Sequence, residues 1–373
     1  MSSIVVTLAH KEVARLLLDR NITKQTDFEW IAQLRYYRND KVVEVSVFDA
    51  TIEYGYEYNY RRQSIVNTPL TDRCFRTILQ AYRYHLYSGI VGPTSCGKTE
   101  TVRSLTGALA KLFYIVNCNN SVSYDCATRI FKGVVSCGAW VCFENFDRLK
   151  QELLSAIAQN LTQMKQAVSS NSKTINFDGC DLTLNVSGHV CVNVDSAQTG
   201  YTDLPDNLKV LFRFVSMTAP DIGRIAEIEL FAGGFLHAKK LAAKLAVTYK
   251  LLSEHLGERR YYNFSASSLK TVVATAIDMK RNVPDENEHT LLLRSMIDIN
   301  IPQLCTADIP VFQRIVRDVF PESDVLPSFD CSAILKALES VCAKRSLVAH
   351  PIFKLKIIQI IELMIKGTRL APQ

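Results

Sequence analysis

The stretch Gly92-Pro93-Thr94-Ser95-Cys96-Gly97-Lys98-Thr99 constrains this chain more than any other, because it fits the pattern G-x-x-x-x-G-K-S/T without a mismatch. In such a loop the glycines let the backbone curl so that successive N–H groups converge on phosphate oxygens, and the helix that follows presents its positive end to them. Lys98 then reaches the β- and γ-phosphates, and the Thr99 hydroxyl is a ligand for Mg²⁺. The flanks are those the loop requires. Ser88-Gly89-Ile90-Val91 is a short apolar run ending at the loop, and Lys98 to Leu112 reads as a helix with Val102, Leu105, Leu109 and Leu112 on one stripe. A flexible loop matching by chance would lack that context. The motif speaks for phosphate binding and is silent on hydrolysis.

The rest of the chain supplies more strands and helices around this one. Residues 1 to about 38 read as helical, with Val13, Leu16 and Leu17, then Phe28, Ile31 and Leu34, at helical spacing. Val42 to Phe48 alternates like a strand, and a polar, tyrosine-rich segment from Tyr54 to Asn67 marks a first boundary. A helix is expected from Thr71, as N-cap, to about Tyr84. Apolar runs at Phe113 to Val116, Ala139 to Phe143, His189 to Val194 and Phe212 to Met217 alternate with helical stretches near Tyr124 to Val135 and Leu149 to Val168. A hairpin is expected across Thr174 to Leu184. This alternation predicts an α/β fold, a parallel sheet with helices on both faces. From Pro220 the pattern is helical throughout, with breaks at Gly233-Gly234, Gly257, Asn282 to Pro284, Pro302, Pro310 and Pro321, and two closing helices at Cys331 to Ala343 and Pro351 to Ile365.

Composition limits the partners. A net charge of +6 over 373 residues, with acids and bases interspersed, gives no reason to expect nucleic acid. The apolar stretch Ile352 to Ile365 carries Lys354, Lys356 and Glu362 and is too short and too charged to span a bilayer. The 11 cysteines include no C-x-x-C pair, and the seven histidines are scattered, so neither a disulfide framework nor a zinc site is expected. Met1 to His10 lacks the layout of a signal peptide, and the expectation is a soluble, intracellular protein without membrane association.

A phosphate-loop triphosphatase also needs a carboxylate at the end of an apolar strand to hold the Mg²⁺ shell, and many add a Glu that activates water. The candidate strand, Trp140 to Phe143, ends in Glu144-Asn145. Longer matching text surrounds these motifs. It includes Asp27-Phe28-Glu29-Trp30, Gln33-Leu34-Arg35-Tyr36-Tyr37, Tyr54-Gly55-Tyr56-Glu57-Tyr58 and Thr68-Pro69-Leu70-Thr71-Asp72-Arg73-Cys74. It continues through Gly97-Lys98-Thr99-Glu100-Thr101, Ser136-Cys137-Gly138-Ala139-Trp140, Leu204 to Arg213 and Leu291-Leu292-Leu293-Arg294-Ser295. In these segments the chain resembles the first AAA+ module of a dynein heavy chain, the axonemal type included, and the resemblance runs over nearly its whole length.

The resemblance implies a division into the end of a linker region at 1–66, an AAA+ large α/β domain at 67–219, a small helical domain at 220–322 and the truncated start of a second module at 323–373. It makes Gly92 to Glu100 the ATP loop and puts Pro69 and Leu70 near the adenine. Thr99 and Glu144 become the metal residues for Mg²⁺, Arg294 a sensor for the γ-phosphate, and Arg213 an arginine finger offered to a neighbouring module. For either arginine a solvated surface charge is the alternative. Two departures stand out. Asn145 takes the place of the family's catalytic Glu and cannot accept a proton at ordinary pH. Asp195, with Ser196-Ala197, replaces the family's Asn-Pro-Gly sensor and sets an anion near the γ-phosphate. Asp147, two residues beyond Asn145, would share its face if the strand continued.

The expectation is a dynein-like motor fragment that binds ATP and Mg²⁺ with impaired hydrolysis. The alternative is a non-motor pseudo-ATPase in which nucleotide has a structural role. The implied partners are other dynein subunits and AAA+ modules, with microtubules only indirectly, since the binding tip lies outside the match. The implied locations are the cytoplasm, the cytoskeleton and the ciliary axoneme. An unrelated phosphate-loop kinase is disfavoured by the matches outside the loop.

Overall fold

The computed structural model describes residues 2–40, 42–58, 65–119, 122–177, 179–195, 204–256, 262–284, 286–321 and 332–365. Ser196-Ala197, Gly257 and Cys331, and the junction placed at 322–323, fall outside them. The chain divides into two compact units, Ser2–Pro220 and Asp221–Gln373.

The first unit opens with helices α1 (Ser2–Asp19) and α2 (Phe28–Ile31) and strands β1 (Arg35–Asn39), β2 (Val42–Val47) and β3 (Ala50–Glu53). It continues with α3 (Pro69–Arg83), β4 (Tyr87–Gly92), α4 (Lys98–Ala108), β5 (Phe113–Asn117), α5 (Tyr124–Cys137) and β6 (Trp140–Glu144). Then come α6 (Gln151–Ser169), β7 (Thr174–Phe177), β8 (Cys180–Thr183), β9 (His189–Asp195), α7 (Asp206–Lys209) and β10 (Phe212–Ser216). Five strands form one sheet in the order β10-β4-β9-β6-β5, every neighbouring pair parallel.

The strands are nearly continuous apolar runs because both faces of the sheet are covered. Along β6, Trp140 and Cys142 pack with Ile78 of α3 and Val102 and Leu105 of α4, while Val141 and Phe143 pack with Phe131 of α5 and Leu154 and Ile157 of α6. The antiparallel sheet β1-β2-β3 adds Val45, Val47 and Ile52 to the α3–α4 side. The anticipated helices-on-both-faces α/β sheet is therefore what this unit forms.

Two local expectations are corrected. Residues 35–39 form strand β1 rather than prolonging a helix to 38, and the helically spaced Phe28 and Ile31 occupy only the single turn of α2. Arg35 to Asn39 pair antiparallel with Ser46 to Val42, and Asp40 takes φ 49° in the turn between; tyrosines at 36 and 37 suit such a ribbon better than a helix. The N-cap of α3 is Thr68, not Thr71. Pro69 sits at the first helical position, where its missing N–H is no loss. Thr71 closes a capping box instead: its N–H donates to Thr68 Oγ1 at 3.3 Å and its Oγ1 accepts from the Thr68 N–H at 2.8 Å.

The second unit is helical: α8 (Ile222–Ala232), α9 (Ala238–Leu256), α10 (Ala266–Asn282), α11 (Glu288–Asn300), α12 (Ile309–Val319), α13 (Ser332–Lys344) and α14 (Pro351–Ile365). Leu230, Leu241, Leu245, Leu252, Leu269, Val272, Leu292, Met296 and Phe312 make its core. The Glu288 carboxylate accepts from the backbone N–H of Leu236 and His237 and pairs with Lys280 at 2.5 Å, tying the α8–α9 loop to α10 and α11. Pro310 stands in the first turn of α12 and begins that helix. Among the described residues no helix is long and apolar enough to cross a membrane.

Candidate functional site

Strand β4 runs buried into the loop, and α4 leaves it at Lys98. Gly97 caps α4 with φ 96°, a left-handed conformation that disfavours any residue with a Cβ. At Gly92 the limit is space, since a Cβ there would come within 2.3 Å of the Met217 carbonyl oxygen. Ser95 adopts φ 59° at the bend. Lys98 Nζ folds back over the loop and donates to the carbonyls of Gly92 at 2.6 Å and Pro93 at 2.8 Å. Cys96 is buried, and burial, ahead of any charge nearby, pushes its thiol above the ordinary range. It belongs to the loop's apolar floor, on which Leu70 of α3 also packs.

The two metal candidates meet. Thr99 Oγ1 donates to Glu144 Oε1, joining the first turn of α4 to the end of β6. A third residue joins them that the motif reading did not single out. Asn193, 3% exposed on β9, donates from Nδ2 to Thr99 Oγ1 at 2.9 Å. Its signal was available as the one polar residue within the apolar text Val190-Cys191-Val192-Asn193-Val194. The Thr99 hydroxyl and the Glu144 carboxylate are hard oxygen donors of the kind Mg²⁺ prefers, and the Asn193 carboxamide meets them through its NH₂.

Asn145 follows β6 directly but leaves the strand, with φ 53°. Its Nδ2 donates to Asn117 Oδ1 at 3.1 Å, at the end of β5. This polar partner also escaped the sequence reading, although it ends the apolar run Phe113 to Val116. The backbone reversal at Asn145 removes the shared face expected for Asp147, which instead lies buried in a short 3₁₀ turn, Phe146–Arg148. Burial, and then the Asp195 carboxylate, hold the Asp147 carboxyl above its ordinary range. Asp195 ends β9 as the register partner of Gly92, so its charge stands at the root of the loop.

The remaining candidates lie elsewhere. Glu100 is exposed on α4 and pairs with Arg103 at 2.5 Å. Pro69 and Leu70 form the first turn of α3. Arg213 lies on the edge strand β10 opposite Ser88, four residues along β4 from Gly92 and thus about 13 Å from the loop's root. Arg294 lies on α11 of the second unit, where its Nε stands 3.9 Å from Asp298 Oδ2.

Residues 54–370 match a family described as "Hydrolytic ATP binding site of dynein motor region". The chain is 40% identical over 361 residues to the human protein "Dynein axonemal heavy chain 3", covering 97% of this chain and 9% of that one. It is 36% identical over 306 residues to "Dynein-1-alpha heavy chain, flagellar inner arm I1 complex" of Chlamydomonas reinhardtii, covering 82% of this chain and 7% of that one. The chain thus spans about a tenth or less of the length of these relatives. Among solved structures, a Thermotoga maritima Holliday junction branch migration motor aligns over 78% of this chain and 86% of its own, at 12% identity and a TM-score of 0.44.

Proposed function

The chain belongs to the dynein heavy-chain motor family, and on that premise we propose that its Gly92 to Thr99 loop binds ATP with Mg²⁺ and that the bound ATP is hydrolysed only slowly. The loop amides and the positive end of α4 supply neutral donors for the phosphates, and Lys98 supplies the charge. Thr99 and Glu144 would hold the metal, which when bound neutralises negative charge on the β- and γ-phosphates.

The observation that carries the second half of the reading is Asn145. Where a base should face the attacking water, the chain places a carboxamide whose nitrogen is already engaged by Asn117. An amide cannot take up a proton, and the loss of general-base assistance costs about 10²- to 10⁴-fold in rate. Asp195 at the root of the loop adds repulsion toward the γ-phosphate. The raised carboxyl of Asp147 is enclosed in its turn at 4% exposure, away from solvent that would deliver a nucleophile.

By the same reading, 1–66 is the end of a linker, 67–219 and 220–322 are the large and small parts of one AAA+ module, and 323–373 begins the next. Pro69 and Leu70 would border the adenine, Arg294 would sense the γ-phosphate, and Arg213, remote from its own loop, would serve a neighbouring module. The partners are then other dynein modules and subunits, with microtubules reached indirectly, at the cytoskeleton or ciliary axoneme. Asn145 and Asp195 together favour a second reading of the same fold, a pseudo-ATPase whose nucleotide only stabilises it.

An equilibrium titration with ATP in the presence of Mg²⁺ tests the binding half. Lys98→Ala should weaken ATP by about tenfold or more, the weight of a charge-assisted contact. Equal affinity in the variant would remove the loop from the account.

A further inference from the structure

Asn193 sits where a structural role gives no reason for a polar residue. It follows Val190, Cys191 and Val192 on a central strand, opposite Ile90 of β4, and an amide in such a core is destabilising unless it is bonded. The one hydrogen bond of its side chain among the described residues is to Thr99, and its Oδ1, buried, has no hydrogen-bond partner among them.

The direction of the bonds follows from valence. Glu144 as a carboxylate can only accept, so the single hydroxyl proton of Thr99 goes to it. Asn193 must therefore present its NH₂ to Thr99, not its oxygen. The hydroxyl oxygen has two lone pairs; Asn193 occupies one, the proton is committed to Glu144, and one lone pair remains for a metal. The rotor of Thr99 is held from both sides.

We infer that Asn193 is a positioning residue that sets the Thr99 hydroxyl as a magnesium ligand, an assignment that rests on the reading of this loop as an ATP–Mg²⁺ site. Its amide holds the hydroxyl of Thr99 so that the free lone pair keeps one direction. The sensor at the end of β9 and the metal residue at the start of α4 are coupled through it, so the strand that carries Asp195 also sets the metal site.

The experiment is an ATP titration by calorimetry with Mg²⁺ and again with EDTA. The quantity read is the ratio of the two dissociation constants. Asn193→Leu keeps the branched shape at somewhat larger volume and Asn193→Ala empties the space, so a packing defect affects the two differently. The inference expects the Mg²⁺ advantage to fall about three- to tenfold in both, the range of one hydrogen bond. Because Asn193 acts through Thr99, adding Asn193→Leu to Thr99→Val should lower the ratio no further. An unchanged ratio in the single variants, or additive losses in the double variant, would overturn the assignment while leaving the ATP–Mg²⁺ site standing. Absence of any Mg²⁺ advantage in the unaltered chain would overturn both.

Discussion

At the scale of single residues, the proposed function divides the site into groups that would hold phosphate and groups that would break its bond. Lys98, Thr99 and Glu144 are in contact with the loop or with each other, whereas Asn145 carries no basic atom. Asp195 sits between the two roles. As the register partner of Gly92 it brings negative charge to the loop's root, and like charges a few ångströms apart in a partly shielded site repel by about 1 kcal/mol or more. Asp195→Asn should therefore tighten Mg²⁺–ATP about fivefold or more, read from the same kind of titration. Unchanged affinity would show that the Asp195 charge does not reach the phosphates.

At the scale of elements, α3 illustrates what local sequence can and cannot specify. Pro69 after Thr68, with Thr71 three residues on, is a complete helix-start signal, yet Thr71 alone draws the eye as a cap. Thr68→Ala removes the acceptor for the Thr71 N–H and should lower stability by about 1 kcal/mol in urea unfolding. A loss near zero would mean that Pro69 alone fixes the helix start. The phosphate loop and the five sheet strands were legible because each is a continuous local pattern. Strand β1 was not, since the helical spacing of Phe28, Ile31 and Leu34 leads directly into it and conceals its pairing with β2. The Asn193–Thr99–Glu144 chain was not legible either, because those residues lie far apart in sequence and meet only through the register of β9, β6 and the start of α4. Asn145 was legible as a chemical substitution, but its left-handed backbone and its bond to Asn117 were not.

At the scale of the whole molecule, acid should unfold both units through different groups. In the first unit His189 is fully enclosed by Trp140, Tyr82 and Tyr87 with Ser88 Oγ 2.8 Å from its Nε2, and burial lowers its pKa to about 3. The unfolded chain therefore binds a proton below about pH 6.5 that the fold refuses. Stability present above that pH is lost as pH falls, by up to about 1.4 kcal/mol per unit down to the folded value. In the second unit burial raises the Glu288 carboxyl, but Lys280 and the amides of His237 and Leu236 outweigh it and leave the pKa below the ordinary value. That contribution is present above the usual carboxylate range and lost as pH falls through the lowered value. Urea unfolding followed by tryptophan fluorescence should show stability falling between pH 6.5 and 4.5, with a shallower fall in His189→Gln. Equal slopes in the two proteins would exclude the buried imidazole as the cause.

The family's description is of a motor region, and the proposed reading of this chain is a loop that holds ATP with no general base at Asn145 to activate water. Single-turnover hydrolysis of Mg²⁺–ATP by the unaltered chain and by Asn145→Glu bears on that claim most directly. The account predicts slow turnover in the first and a rise of about 10²-fold or more in the second. Fast hydrolysis by the unaltered chain, unmoved by Asn145→Glu, would contradict it.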